Sequence, residues 1–138
     1  HVVATGPFPR GEFRSLMAAS DLVVSCSDHD FFGVGIVEAV AAGARPLLPD
    51  ALVYPEAIPA RWHSIALYER GRFGRSLVEA VREFNDDRAA AVDAVAGLAE
   101  EMDRFDWSVV APCYDDRFEL FEALFSMDPG LATERIGQ

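Results

Sequence analysis

Two short apolar runs, Leu22-Val23-Val24 and Arg45-Pro46-Leu47-Leu48, flank one helix-length apolar segment, and this spacing most constrains what the 138-residue chain can fold into. The first run is rich in β-branched residues and does not alternate with polar ones, the pattern of a strand buried on both faces. Between the runs, helical spacing extends from about Gly33 to Ala42, with Gly43 placed to cap it. Strand, helix and strand in this order predict a parallel crossover. The expected fold class is therefore α/β: a short parallel, doubly wound sheet flanked by helices. Sites in such sheets lie beyond the carboxyl ends of the strands. Ser25-Cys26-Ser27-Asp28-His29-Asp30 is the polar loop at one such end, and the proline-rich loop from Pro49 to Pro59 borders the same cleft.

The flanking segments complete the pattern. Val2 to Thr5 reads as a strand, Gly6-Pro7-Phe8-Pro9 as a turn that helix geometry rejects, and Gly11 to Ala19 as a helix with Phe13, Leu16 and Met17 on one face. Pro46 stands at the entrance of its strand, and Ile65-Ala66-Leu67 is a short final strand. The C-terminal third is helical in three pieces, Arg72 to Phe84, Asp87 to Asp103 and Ser108 to Phe125, with Asp106 or Ser108 as the last cap. One partial domain over 1–126 is expected, with a flexible tail over 127–138. The chain opens on His1, directly ahead of a strand-like segment, which suggests a fragment of a longer protein.

Composition excludes several chemistries. Net charge is -11, but through residue 77 eight acids meet seven arginines, while after it fifteen acids meet five. The acidity belongs to the C-terminal helices, and an acidic flank of this kind does not clamp nucleic acid by itself. All twelve basic residues are arginine, so no Walker-type, Schiff-base or general-base lysine exists in these residues. Cys26 and Cys113 lack framework spacing, which points to reduced thiols and a cytoplasmic protein. Cys26-x-x-His29 is half a metal site with no second half, so no metal is expected; Cys26 reads as a small buried residue at a strand end. No apolar run approaches the roughly 20 residues of a membrane span.

The chemistry concentrates between Asp30 and Glu38. Gly33 and Gly35 lack a Cβ, so a diphosphate can approach the amides of Phe32 to Gly35 at a helix N-terminus, where N–H groups are unsatisfied and the dipole is positive. Glycines at a tight strand-to-helix turn are as often purely geometric. Glu38 interrupts an otherwise apolar helix; a carboxylate buried there would require hydrogen-bond donors such as a ribose diol, the alternative being an acid that interacts with the helix dipole. Asp30 by itself reads as a helix cap, and gains a ligand role from bracketing the turn with Glu38. Phe31 and Phe32 read first as core packing and second as sugar stacking.

The span DFFGVGIVEAVAAGARPLLPD, from Asp30 to Asp50, resembles the signature of the GT-B fold glycosyltransferases of family 4, retaining enzymes with a glutamate-x7-glutamate motif of the form EGFGxxxxEAMAxGxPVV. Ser20 to Ser25 resembles the strand before that motif, and the resemblance covers roughly His1 to Leu67 in order. Leu52-Val53-Tyr54-Pro55-Glu56, following HDFFGV, is similar to the tRNA-queuosine mannosyltransferase branch. The resemblance implies a Rossmann-like C-terminal GT-B domain that binds a nucleotide-diphosphate sugar. It places Asp30 at the catalytic acidic position that contacts donor-sugar hydroxyls, and Glu38 at the position that contacts the nucleotide ribose. The amides of Phe32, Gly33 and Val34 fall where diphosphate and sugar are held, and Phe8 where backbone meets the base. Two departures stand out: Asp30 replaces a glutamate longer by one methylene, and Tyr54 occupies a turn that is glycine-rich in relatives, making it a wall of the sugar site.

The resemblance also implies what lies elsewhere: the diphosphate-binding arginine and lysine, the acceptor site and the whole N-terminal GT-B domain. A tRNA acceptor would engage that absent half. No cofactor is expected beyond the sugar donor, and the fragment alone should not be catalytic. Two strands of the family's sheet would lie between Val2–Thr5 and Leu22–Ser25, so an exposed sheet edge or an empty slot is expected, to be filled by another chain, which would make a dimer, or by a rearranged strand. The rival expectation is a non-catalytic nucleotide-sugar-binding or interaction module of the same fold, with an epimerase or phosphorylase as a third.

Overall fold

The computed structural model describes residues 5–127. Of the expected strand at Val2–Thr5 it describes only Thr5, and the tail from Asp128 lies outside the described residues. The chain forms two compact units, one through Met102 and one from Asp103. In the first, α1 (Arg10–Ala18), β1 (Leu22–Val24), α2 (Val34–Ala41) and β2 (Arg45–Pro49) are followed by the short helices α3 (Tyr54–Ala57) and α4 (His63–Ala66). Then come β3 (Leu67–Tyr68), α5 (Phe73–Asp86), α6 (Arg88–Asp93) and α7 (Leu98–Glu101). The second unit is dominated by α8 (Trp107–Met127).

The three strands form one parallel sheet in the order β1-β2-β3, with Leu22 to Val24 registered on Arg45 to Leu47, and Leu48 and Pro49 on Leu67 and Tyr68. The α/β expectation holds: a short parallel sheet flanked by helices, with a helical C-terminal part. Among the described residues β1 pairs only with β2.

Register explains how a central strand carries two prolines. The Arg45 amide donates to Asp21 and the Ser25 amide to Leu47, so the odd-numbered residues of β2 turn their backbone groups toward β1. Pro46 therefore turns the other way, where β3 has not yet begun, and its missing N–H leaves no ladder bond unmade. Pro49 turns toward β1, where the ladder's next bond would run from residue 49 to the Ser25 carbonyl. Proline has no N–H to give, and that carbonyl instead accepts a 2.8 Å hydrogen bond from the Tyr68 hydroxyl.

β2 is buried along its whole length. Leu48 within it and Val40, Tyr54, Ile58 and Leu98 elsewhere in the core are nearly inaccessible to solvent, and Leu47, Tyr68 and Ala80 form a cluster under Leu22, Phe73 and Leu77. Arg45 is the buried charge of this core. Its guanidinium bonds Glu83 on α5 and the Ile65 carbonyl, fixing helix and strand together. α2 ends as expected: Gly43 takes φ 101°, and the Gly43 and Ala44 amides bond back to Val40 and Ala39 in a Schellman cap.

Three expectations are corrected. The loop from Pro49 to Pro59 contains the helix α3. The last strand falls at Leu67–Tyr68, since Ile65 and Ala66 close α4. The single helix expected over Asp87–Asp103 breaks at Gly97, which takes φ 80°. Alanine propensity favours helix everywhere in that stretch, but Ala91, Val95, Leu98 and Met102 supply its buried face, and the break turns the chain so that all four reach the core. In the second unit, Asp106 rather than Ser108 caps α8, its carboxylate accepting from the Ser108 amide and hydroxyl.

Candidate functional site

The carboxyl ends of the three strands meet at Ser25. Its amide bonds Leu47 of β2, its carbonyl accepts from the Tyr68 hydroxyl of β3, and its side-chain oxygen pairs with the Tyr54 hydroxyl at 2.9 Å. Tyr54 opens α3, just beyond β2, and is 1% exposed. Its hydroxyl also donates to Asp30 Oδ2 at 2.7 Å, so one buried tyrosine links the end of β1 to the loop that precedes α2. A Tyr hydroxyl has one proton; with its O–H directed to Asp30, the Ser25 hydroxyl is the donor to Tyr54.

Asp30 also bends back on its own turn. Its Oδ1 accepts from the Phe32 amide at 3.3 Å. The Tyr54 hydrogen bond, with help from the Gly33, Phe32 and Phe31 amides, holds the Asp30 carboxyl below the usual carboxylate range against a smaller opposing effect of burial. Burial in turn pushes the Tyr54 hydroxyl up, and Asp30 adds to that rise. Tyr68 is pushed up chiefly by burial, then by Cys26 and Asp28.

Gly33 makes this geometry possible. It is the N-cap of α2 in the left-handed region, φ 71°, and a Cβ there would stand 3.2 Å from the Tyr54 ring and 3.4 Å from Asp30 Oδ2. No side chain caps α2, and nothing lies within 4 Å of where a Cβ on Gly35 would be, so the first turn of the helix is open to an approaching group.

The structure thus brings Asp30, Gly33 and Tyr54 into direct contact, with Phe32 hydrogen-bonded to Asp30. Val34, Gly35 and Glu38 follow on α2, and Glu38 is exposed, so no cost of burial demands a partner for it. Tyr54 lies beneath the turn with its hydroxyl engaged. Phe8 lines an open groove with Pro9, Gly11, Glu12, Ser15 and Leu16, all ahead of or within α1. Phe31 is 99% exposed and Phe32 41%, so neither is the core residue expected. Cys26 is exposed, not buried. Ser25 and Tyr68 were not singled out by the sequence; the proline at position 49, which leaves a strand-end carbonyl without its ladder donor, was the available signal. Among the described residues no cluster of His, Cys, Asp and Glu is arranged to hold a metal ion, and no helix is long and apolar enough to cross a membrane.

Over 58 residues, 42% of this chain, the sequence is 41% identical to the tRNA-queuosine alpha-mannosyltransferase of Drosophila melanogaster. The chain is related to a glycosyltransferase. The match covers 15% of the length of that protein. No protein-family model matches the chain, and no solved structure does.

Proposed function

We propose that this chain is part of the donor-binding domain of a retaining glycosyltransferase, with residues 1–126 forming a partial GT-B C-terminal domain. The observation that carries the proposal is the Asp30 turn: an anchored, ionised carboxylate directly ahead of the uncapped N-terminus of α2, at the carboxyl ends of parallel strands. An anion and a set of hydroxyls are what such a turn binds, and a nucleotide-diphosphate sugar carries both. In this assignment Asp30 receives donor-sugar hydroxyls, the amides of Val34 and Gly35 face the diphosphate next to those of Phe32 and Gly33, which engage the Asp30 carboxylate, and Glu38, exposed on α2, takes the ribose. Phe8 is assigned to the base.

The chemistry required of this half is positioning and charge stabilisation as the diphosphate departs. Neither a metal nor another cofactor enters the proposal. The partial match to a tRNA mannosyltransferase supports transfer of mannose and a tRNA acceptor, the latter bound by the remainder of the protein; GDP-mannose is the donor we assign. A cytoplasmic setting and pairing of two chains through the free edge of β1 belong to the same proposal.

A thermal-shift panel of GDP-, UDP- and ADP-sugars on the whole protein tests it. One nucleotide class is expected to raise the melting temperature, and Glu38→Ala to reduce that rise. The absence of a shift with every donor would overturn the donor-site assignment. A protein that binds a donor yet never transfers its sugar would instead be the non-catalytic module.

A further inference from the structure

The Tyr54 hydroxyl is engaged on both sides, by Ser25 at 2.9 Å and Asp30 at 2.7 Å, in a side chain otherwise lost in the core. A phenylalanine would fill the same volume, so packing does not account for the hydroxyl. Removing water from a phenol and placing it against a carboxylate is useful when the carboxylate must be held in one orientation. Asp30 lies in an exposed loop, and apart from the turn amides its one side-chain partner among the described hydrogen bonds is Tyr54. The near approach of Gly33 closes the arrangement, because any Cβ there would press on the ring and the carboxylate together.

We infer that Tyr54 is a positioning residue for the donor site, its buried hydroxyl fixing the Asp30 carboxylate so that acceptor directions not taken by Tyr54 and the turn amide are left for a ligand's hydroxyls. Tyr54 holds Oδ2 and the Phe32 amide holds Oδ1, so both oxygens are fixed in place, and a carboxylate oxygen can accept from more than one donor. The inference rests on the donor-site proposal for the identity of the ligand, and on the hydrogen bonds alone for the role of Tyr54. The charged and titratable groups that act on the hydroxyl are Asp30 and Tyr68, and the Tyr68 hydroxyl is itself directed to the Ser25 carbonyl.

Tyr54→Phe and Asp30→Asn, each in the whole protein, test the assignment by three measurements. In Tyr54→Phe the carboxyl carbon of Asp30, followed by NMR, should titrate at higher pH than in the wild type. In Asp30→Asn the Tyr54 hydroxyl should ionise at lower pH, a reciprocal readout that needs no change in the core. Binding of the donor that shifts the wild type should weaken about 10- to 100-fold in each variant. The double variant should lose little more than Asp30→Asn alone, since Tyr54 acts through Asp30. Donor affinity or an Asp30 titration unchanged in Tyr54→Phe, or a Tyr54 titration unchanged in Asp30→Asn, would overturn the role of Tyr54. Failure of the wild type to bind any nucleotide sugar, with both titrations shifted as stated, would overturn the donor site and leave Tyr54 as the residue that orients Asp30.

Discussion

At the residue scale, Asp30 connects the fold to the site. Its carboxyl is held below the usual range by Tyr54 and the turn amides, so the folded state binds its proton less readily than the unfolded chain does. The stabilisation is therefore complete above the ordinary aspartate value and is lost as pH falls through the lowered folded value. Thermal unfolding of the wild type and Asp30→Asn should show a gap that is constant near neutrality and closes below about pH 4. A gap independent of pH would mean that Asp30 stabilises the turn by shape alone. The sequence supplied the residue types here but not their exposure. Asp30 and the glycine at position 33 were legible because a carboxylate and a left-handed cap are required by the turn. Phe31, Phe32 and Cys26 were misjudged for burial because accessibility depends on which elements pack over a loop, and no local pattern encodes that.

At the scale of elements, the sheet is short and is completed by side chains. Pro49 withholds the ladder donor that the Ser25 carbonyl would otherwise receive, and Tyr68 from the neighbouring strand supplies an O–H in its place. Tyr68→Phe leaves that carbonyl without its partner and should cost about 1–3 kcal/mol in denaturant unfolding. Pro49→Ala restores an amide at the position the register calls for, so it should recover part of the loss in the Tyr68→Phe background while giving no gain in the wild type. No recovery would show that the bond from residue 49 cannot form in this register. The alternation of apolar runs made β1, α2 and β2 readable, since each has its own period or a continuous apolar run. α3 and the break at Gly97 were not readable. The first is four residues set by the burial of Tyr54 and Ala57, and the second lies in alanine-rich sequence whose helical propensity hides the turn.

At the scale of the whole molecule, the acidic charge gathers after residue 77 and the candidate site before it. A glycosyltransferase needs both a donor site and an acceptor site. These residues supply a turn suited to the first, and, with no lysine in the chain, no lysine to face a departing diphosphate. Under the proposed function, the 138-residue chain by itself should transfer no sugar from GDP-mannose to queuosine-containing tRNA, measured by incorporation of labelled mannose; transfer by the chain alone would overturn its assignment as half of the machinery. The sequence by itself determined the order of strand and helix, the parallel sheet and the place of the turn, because apolar period, glycine and proline act over a few neighbouring residues. Only the tertiary structure decided that Tyr54 lies under Asp30, that Tyr68 completes the β1 end and that Glu38 faces solvent. Those are contacts between residues 24 and 43 positions apart, or the absence of any cover, and they are fixed by how the strands register and what packs on them.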